Sequence, residues 1–239
     1  MMFGFDPLYL VLLAPGLSLA LWAQWRTHRA FSQGKVVAAA RGITGAQAAA
    51  EVLQAAGVTG VAIEPVKGFL TDHYAPRHKV LRLSPDVYYG QSLSALGVAA
   101  HEAGHALQDA TRYPLLDLRN GMVPMASIGS YLSWLVILAG CTLMAVQSIW
   151  GEPVLLLGIG AFSLTVLFQL VNLPVEFDAS KRARLRLVNY GIVTEEEDTV
   201  LRRVLRAAAM TYMAATLTGV LTLLYVVIRA AQLGRSRDE

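Results

Sequence analysis

The segment His101-Glu102-Ala103-Gly104-His105 has residue types and spacing that could hold a metal ion. On an α-helix, side chains four residues apart lie only about 40° apart around the axis, so the two imidazoles can converge on one ion. Glu102 is offset from His105 by about 60°, which lets its carboxylate reach a water beside the ion without ligating the ion. This is the pattern of H-E-x-x-H metalloproteases, in which two histidines hold zinc and the glutamate is the general base. Ser92 to Ala100 are small or apolar and free of proline, so a helix is credible there. The bland reading is an ordinary helix with two hydrogen-bonded histidines. With 5 His in the chain, two in this register weigh against accident.

A catalytic zinc site usually takes three protein ligands and keeps one position for water, whereas a structural site is closed by four. The metzincin continuation would need a Gly and a His where this chain has Gln108 and Thr111. The best remaining candidate is Glu176, in Leu173-Pro174-Val175-Glu176-Phe177-Asp178-Ala179-Ser180. Pro174 is expected at the first turn of a helix there. Apolar stretches on either side of Gln147 to Pro153 read as a membrane hairpin, which returns residue 176 to the membrane face of residue 105. The alternative is that Glu176 and Asp178 merely favour a helix N-terminus. With Glu176 as third ligand, Asp178 is the expected partner of a ligating histidine. A di-iron bundle would require a second Glu-x-x-His, which the chain lacks. The single cysteine, Cys141, excludes a cysteine-based zinc site and an intrachain disulfide. The implied cofactor is one Zn2+ per chain.

The elements that must position these groups are mainly membrane helices. The chain of 239 residues is 55% hydrophobic and 15% charged, against about 25% charged in a soluble domain. A spanning helix needs roughly 20 mainly apolar residues. Four stretches qualify: about Pro7 to Ala23, Met122 to Val146, Val154 to Leu173 and Ala207 to Ile228. Met1 to Asp6 lacks the basic residues of a signal peptide, so the first stretch reads as an anchor. Arg26, Arg29, Lys35 and Arg41 follow it, which puts that flank in the cytoplasm. Lys181, Arg182, Arg184, Arg186, Arg202, Arg203 and Arg206 agree, while Arg229, Arg235 and Arg237 in the tail do not. These basic residues flank apolar runs, which makes them topology signals and gives no support to a nucleic-acid groove. A lipid-headgroup role for Lys181 to Arg186 is the other reading.

The expected organisation is a single integrated unit. Residues 1–24 are the anchor and 25–121 a cytoplasmic region with the motif helix. Residues 122–173 form the hairpin, 174–206 cytoplasmic helices with the third ligand, and 207–239 the fourth span and tail. The fold class is a mainly α membrane protein with a small α+β cytoplasmic metalloprotease region. Thr44-x-x-Gln47 opens a helix that Gly57 ends, and Thr194 with Glu197 opens another. Asn189-Tyr190-Gly191 terminates the helix begun near Pro174. Val61 to Val66 and Lys79 to Ser84 read as strands, with turn chemistry from Asp72 to Arg77. After Pro85, a helix is expected to about Asp109.

The segments Gly68 to Tyr74, Leu81 to Tyr88, Gly97 to Gln108 and Leu173 to Ser180 together resemble the YugP-type neutral zinc metallopeptidases of bacteria, from about Thr44 to Tyr212. The resemblance implies a membrane-bound, zinc-dependent peptidase. A more distant similarity is to the HtpX class of membrane proteases, in which a later Glu ligand is followed four residues on by an Asp. Glu176 matches that Glu; the Asp position is Ser180 here, with an acid at Asp178 instead.

The mechanism so implied has His101, His105 and Glu176 holding zinc and Glu102 moving the proton of the attacking water. A further donor for the oxyanion would come from His73, Tyr88 or Tyr212, none singled out by the sequence. The strand region could offer an edge to an extended protein or peptide substrate, membrane proteins included, or simply cover the helix as a hairpin. The rival class is a membrane scaffold or regulatory protein with a structural or vestigial zinc.

Overall fold

The computed structural model describes residues 7–68 and 71–238, with the side chains of 235–238 left aside. Met1 to Asp6, whose lack of basic residues bears on the anchor, and Phe69-Leu70 of the Gly68 to Tyr74 segment fall outside it. Among the described residues seven helices and three strands follow in order: α1 (Pro7–Lys35), α2 (Gly45–Ala55), β1 (Ala62–Pro65), β2 (His73–Ala75), β3 (Val80–Leu83), α3 (Pro85–Tyr88), α4 (Leu93–Ala110), α5 (Pro114–Ala145), α6 (Gly151–Asn189) and α7 (Glu195–Asp238). Four of these helices, α1, α5, α6 and α7, are long and apolar enough to cross a bilayer.

The chain divides into two compact units. One comprises the chain up to Trp22, Leu118–Asn172 and the chain from Tyr212 onward. In it Ile137, Met144, Leu155, Phe162, Val166 and Val226 pack together. A Cβ at Gly140 of α5 would stand 2.5 Å from the Leu155 nitrogen of α6, the small-residue contact by which helices associate where lipid removes any hydrophobic gain. Leu135, Leu138, Leu156, Leu157 and Leu167 remain exposed, as lipid-facing side chains should.

The other unit comprises Ala23–Asp117 and Leu173–Thr211. Its core is built around α4, whose Leu93, Leu96, Ala99, Ala100, Ala103 and Leu107 are buried with Ala48, Ala49 and Val52 of α2, Leu81 and Leu83 of β3, Ala183 and Leu187 of α6, and Leu201 of α7. Both capping boxes form. Thr44 accepts from the Gln47 N–H while its own N–H donates to Gln47 Oε1 at 2.8 Å. The Thr194 N–H likewise donates to Glu197 Oε2 at 2.8 Å. Gly191 ends α6 at φ 61°, in the left-handed region that glycine enters without steric cost.

Three expectations change. The helix after Pro85 breaks at residues 89–92, because the backbone turns to other partners. The Gly90 carbonyl accepts from Gly45 and the Gln91 carbonyl from Ala39, and Ser92 caps a new helix through the Ala95 N–H. The turn-like segment holds a third strand, β2, antiparallel to β3, while β1 pairs parallel to β3, giving the order β1-β3-β2. The hairpin is therefore β2–β3, and the two strands read from the sequence run side by side in the same direction. Pro174 begins no helix: α6 continues through it. Proline removes one i→i−4 hydrogen bond, a loss that helices of membrane proteins tolerate more readily than soluble ones.

Gly104 sets how closely α4 and α6 approach. A Cβ there would meet the Ala179 carbonyl oxygen at 2.4 Å, with backbone on both sides and no flexible side chain to give way. Gly104→Ala should therefore force the helices apart and destabilise the protein by about 1–3 kcal/mol, the usual cost of overpacking. Thermal unfolding in detergent checks this, and a melting temperature equal to wild type would contradict it.

Candidate metal centre

α4 presents His101 and His105 on one face, as their spacing requires, and the two rings meet edge to face with centroids 4.9 Å apart. α6 brings Glu176 to the same place. Its Oε2 lies 3.2 Å from His101 Nε2 and 3.7 Å from His105 Nε2. Ligand atoms of all three residues lie within 4.8 Å of one another. The Glu176 side chain is 3% exposed, so its carboxylate sits in a medium where an uncompensated charge is costly.

Burial pushes the His105 imidazole down, but the Glu176 carboxylate, the Glu102 charge and the contact with Gln108 outweigh it and hold the ring above its ordinary pKa. A pocket that draws a proton in this way draws a divalent cation for the same electrostatic reason. Two imidazoles and a carboxylate are also a donor set that zinc accepts. The residues fit the ion.

Each histidine has a partner on its other nitrogen. His101 Nδ1 lies 2.9 Å from Ser180 Oγ, and His105 Nδ1 lies 2.9 Å from Gln108 Oε1. Asp178, expected in that role, contacts Gln108 Nε2 at 2.9 Å and Arg182 Nε at 2.5 Å. The helix explains the exchange. Ser180 is four residues beyond Glu176 and shares its face, while a step of two residues turns Asp178 about 160° away. Arg184 pairs with Asp198, and the Arg186 guanidinium lies over the Tyr190 ring, so these basic side chains also have protein partners.

Glu102 lies beside β2. Its Oε2 accepts the backbone N–H of Tyr74 at 3.0 Å. The Tyr74 hydroxyl donates to Asp109 Oδ2 at 2.5 Å, and Lys79 Nζ reaches the same oxygen. Burial, followed by the hydrogen bond to Asp109 and its charge, pushes the Tyr74 phenol well up and keeps it protonated. Tyr74 was not singled out from sequence. The available signal was the seven-residue step from Glu102 to Asp109, which puts both carboxylates on one face of α4 and so marks where a strand could be tied.

Of the three suggested oxyanion donors, His73 precedes Tyr74 on β2, and its Nδ1 lies 2.8 Å from the Thr71 carbonyl. Tyr88 packs against the core and edges the Tyr89 ring. Tyr212 belongs to the other unit. Among the described contacts, none joins His73 or Tyr88 to the His-His-Glu cluster.

A family model described as "Putative neutral zinc metallopeptidase" matches residues 9–231. The chain belongs to this family. It is 42% identical over 221 residues to the "Putative membrane protease YugP" of Bacillus subtilis (strain 168), an alignment covering 92% of this chain and 96% of that one. No solved structure matches the chain. Family membership and the four apolar helices together make this a membrane protein of a zinc peptidase family.

Proposed function

We propose that the chain is a zinc-dependent membrane endopeptidase acting on protein or peptide substrates, with His101, His105 and Glu176 as metal ligands and Glu102 as general base. The observation that carries this reading is the convergence of those three donors, His105 and Glu176 buried and His101 half-buried, within 4.8 Å. Zinc in such a site would act as a Lewis acid and lower the pKa of water from 15.7 to about 7. Glu102 takes the proton of the attacking water and passes it to the leaving amine. The Tyr74 N–H holds the Glu102 carboxylate in place, and the β2 edge beside it gives an extended peptide a strand to join. Of the three oxyanion candidates, His73 is favoured by its place on that strand.

A scaffold with a closed structural zinc would need no acid at position 102, so Glu102→Gln separates the two readings. The variant should keep its zinc and lose casein hydrolysis by at least about 100-fold, the usual contribution of a general base. Unchanged hydrolysis would remove Glu102 from the mechanism. Zinc in both proteins with hydrolysis in neither would favour the scaffold.

The basic residues between the first two spans, and those after the third, support an active site facing the cytoplasm. In a Cys141→Ala background, Asp86→Cys should resist a membrane-impermeant thiol reagent in intact cells, and Ser148→Cys should react. The reverse pattern would overturn this orientation.

A further inference from the structure

We infer that Gln108 is a positioning residue that dictates which nitrogen of His105 is offered to the metal. The inference rests on the zinc reading above and deepens it. A glutamine side chain carries two N–H donors on one terminal atom and only an acceptor on the other. Gln108 Nε2 lies 2.8 Å from the Val175 carbonyl and 2.9 Å from the Asp178 carboxylate. A carbonyl and a carboxylate can only accept. The amide nitrogen must therefore face them, because the flipped amide would set its oxygen against two other oxygens. Oε1 is left facing His105 Nδ1 at 2.9 Å.

An oxygen without hydrogen requires the hydrogen to be on Nδ1. With Nδ1 so occupied, Nε2, the atom directed at the Glu176 carboxylate, is the nitrogen left to offer a lone pair to a metal. Gln108 is fully buried, so water offers no ready substitute for the amide. The device is anchored one residue further out. Asp178 is held by Arg182 Nε at 2.5 Å, and Arg182 also donates to Thr111 Oγ1 at 3.0 Å.

The other ligand is treated differently. Ser180 Oγ, beside His101, can donate or accept and so imposes no tautomer on that ring. Asp178 thus acts on the site through Gln108, which gives that carboxylate a role despite its distance from either imidazole.

The test uses the full chain in detergent, with zinc as the probe and a chelating dye as competitor. Gln108→Met keeps the length and apolar bulk of the side chain and removes its hydrogen bonds. Its zinc affinity should fall roughly 10–100-fold, as for other residues that orient metal ligands. A structural role alone would not move a second readout. In the zinc-loaded protein with 15N-labelled histidine, a slowly exchanging ring N–H should be present in wild type and in Ser180→Ala, and lost in Gln108→Met. Wild-type affinity together with an unchanged ring N–H in Gln108→Met would overturn the inference. If that variant does not fold, Asp178→Ala decides, since its side chain is partly exposed and it removes one of the two groups that orient the amide. It should lose affinity several-fold, and unchanged affinity with unchanged exchange would overturn the inference equally. A wild-type chain that binds no zinc would instead sink the metal reading, and this inference with it.

Discussion

The metal centre depends on how closely two helices can approach. α4 carries both histidines and α6 carries the carboxylate, and the ligand atoms meet only because Gly104 lets the Ala179 backbone come where a Cβ would otherwise stand. The glycine lies inside the five-residue motif itself. The same residue run thus supplies two histidines, a glutamate and the gap through which Glu176 arrives. Ala103 and Ala106 beside it are buried in the core around α4, so the approach is backed by packing on both sides of the motif.

Bringing Glu176 into a buried pocket has an electrostatic cost that the surroundings must offset. The two imidazoles face its Oε2, and each is tied on its far side, one to Ser180 and one to Gln108. Buried polar groups are stable when every member of the network has a partner. The outer members, Asp178 and Arg182, lie progressively closer to solvent, so the network grades from the buried carboxylate to the surface. Tyr74 performs the equivalent task beside the motif by tying β2 to Glu102 and Asp109 along one face of α4.

Much of this was legible in the sequence, for physical reasons that also mark the limits. Helical periodicity places His101 beside His105 regardless of tertiary context. Glu176, picked out as the best remaining acid, lies beside both histidines, and the two capping boxes announce their helices. The parts that were not legible depend on long-range partners. β2 is three residues of His-Tyr-Ala with no alternation to reveal it. The break at Gly90 follows from backbone bonds to Gly45 and Ala39, far away in the chain. The reading of Pro174 as a helix start applied a rule of soluble helices to a long membrane helix that runs through it. Asp178 was chosen for its charge, whereas helical geometry favours Ser180, a neutral residue on the face that matters.

The central claim is that one zinc is held by two imidazoles and one carboxylate from these two helices. Zinc K-edge X-ray absorption on the purified full chain tests it most directly. The account predicts a shell of nitrogen and oxygen only, at about 2.0–2.1 Å, with the outer scattering of two imidazoles. It also predicts a changed shell, or loss of the metal, in Glu176→Gln. Sulfur at about 2.3 Å, or a Glu176→Gln spectrum identical to wild type, would contradict it.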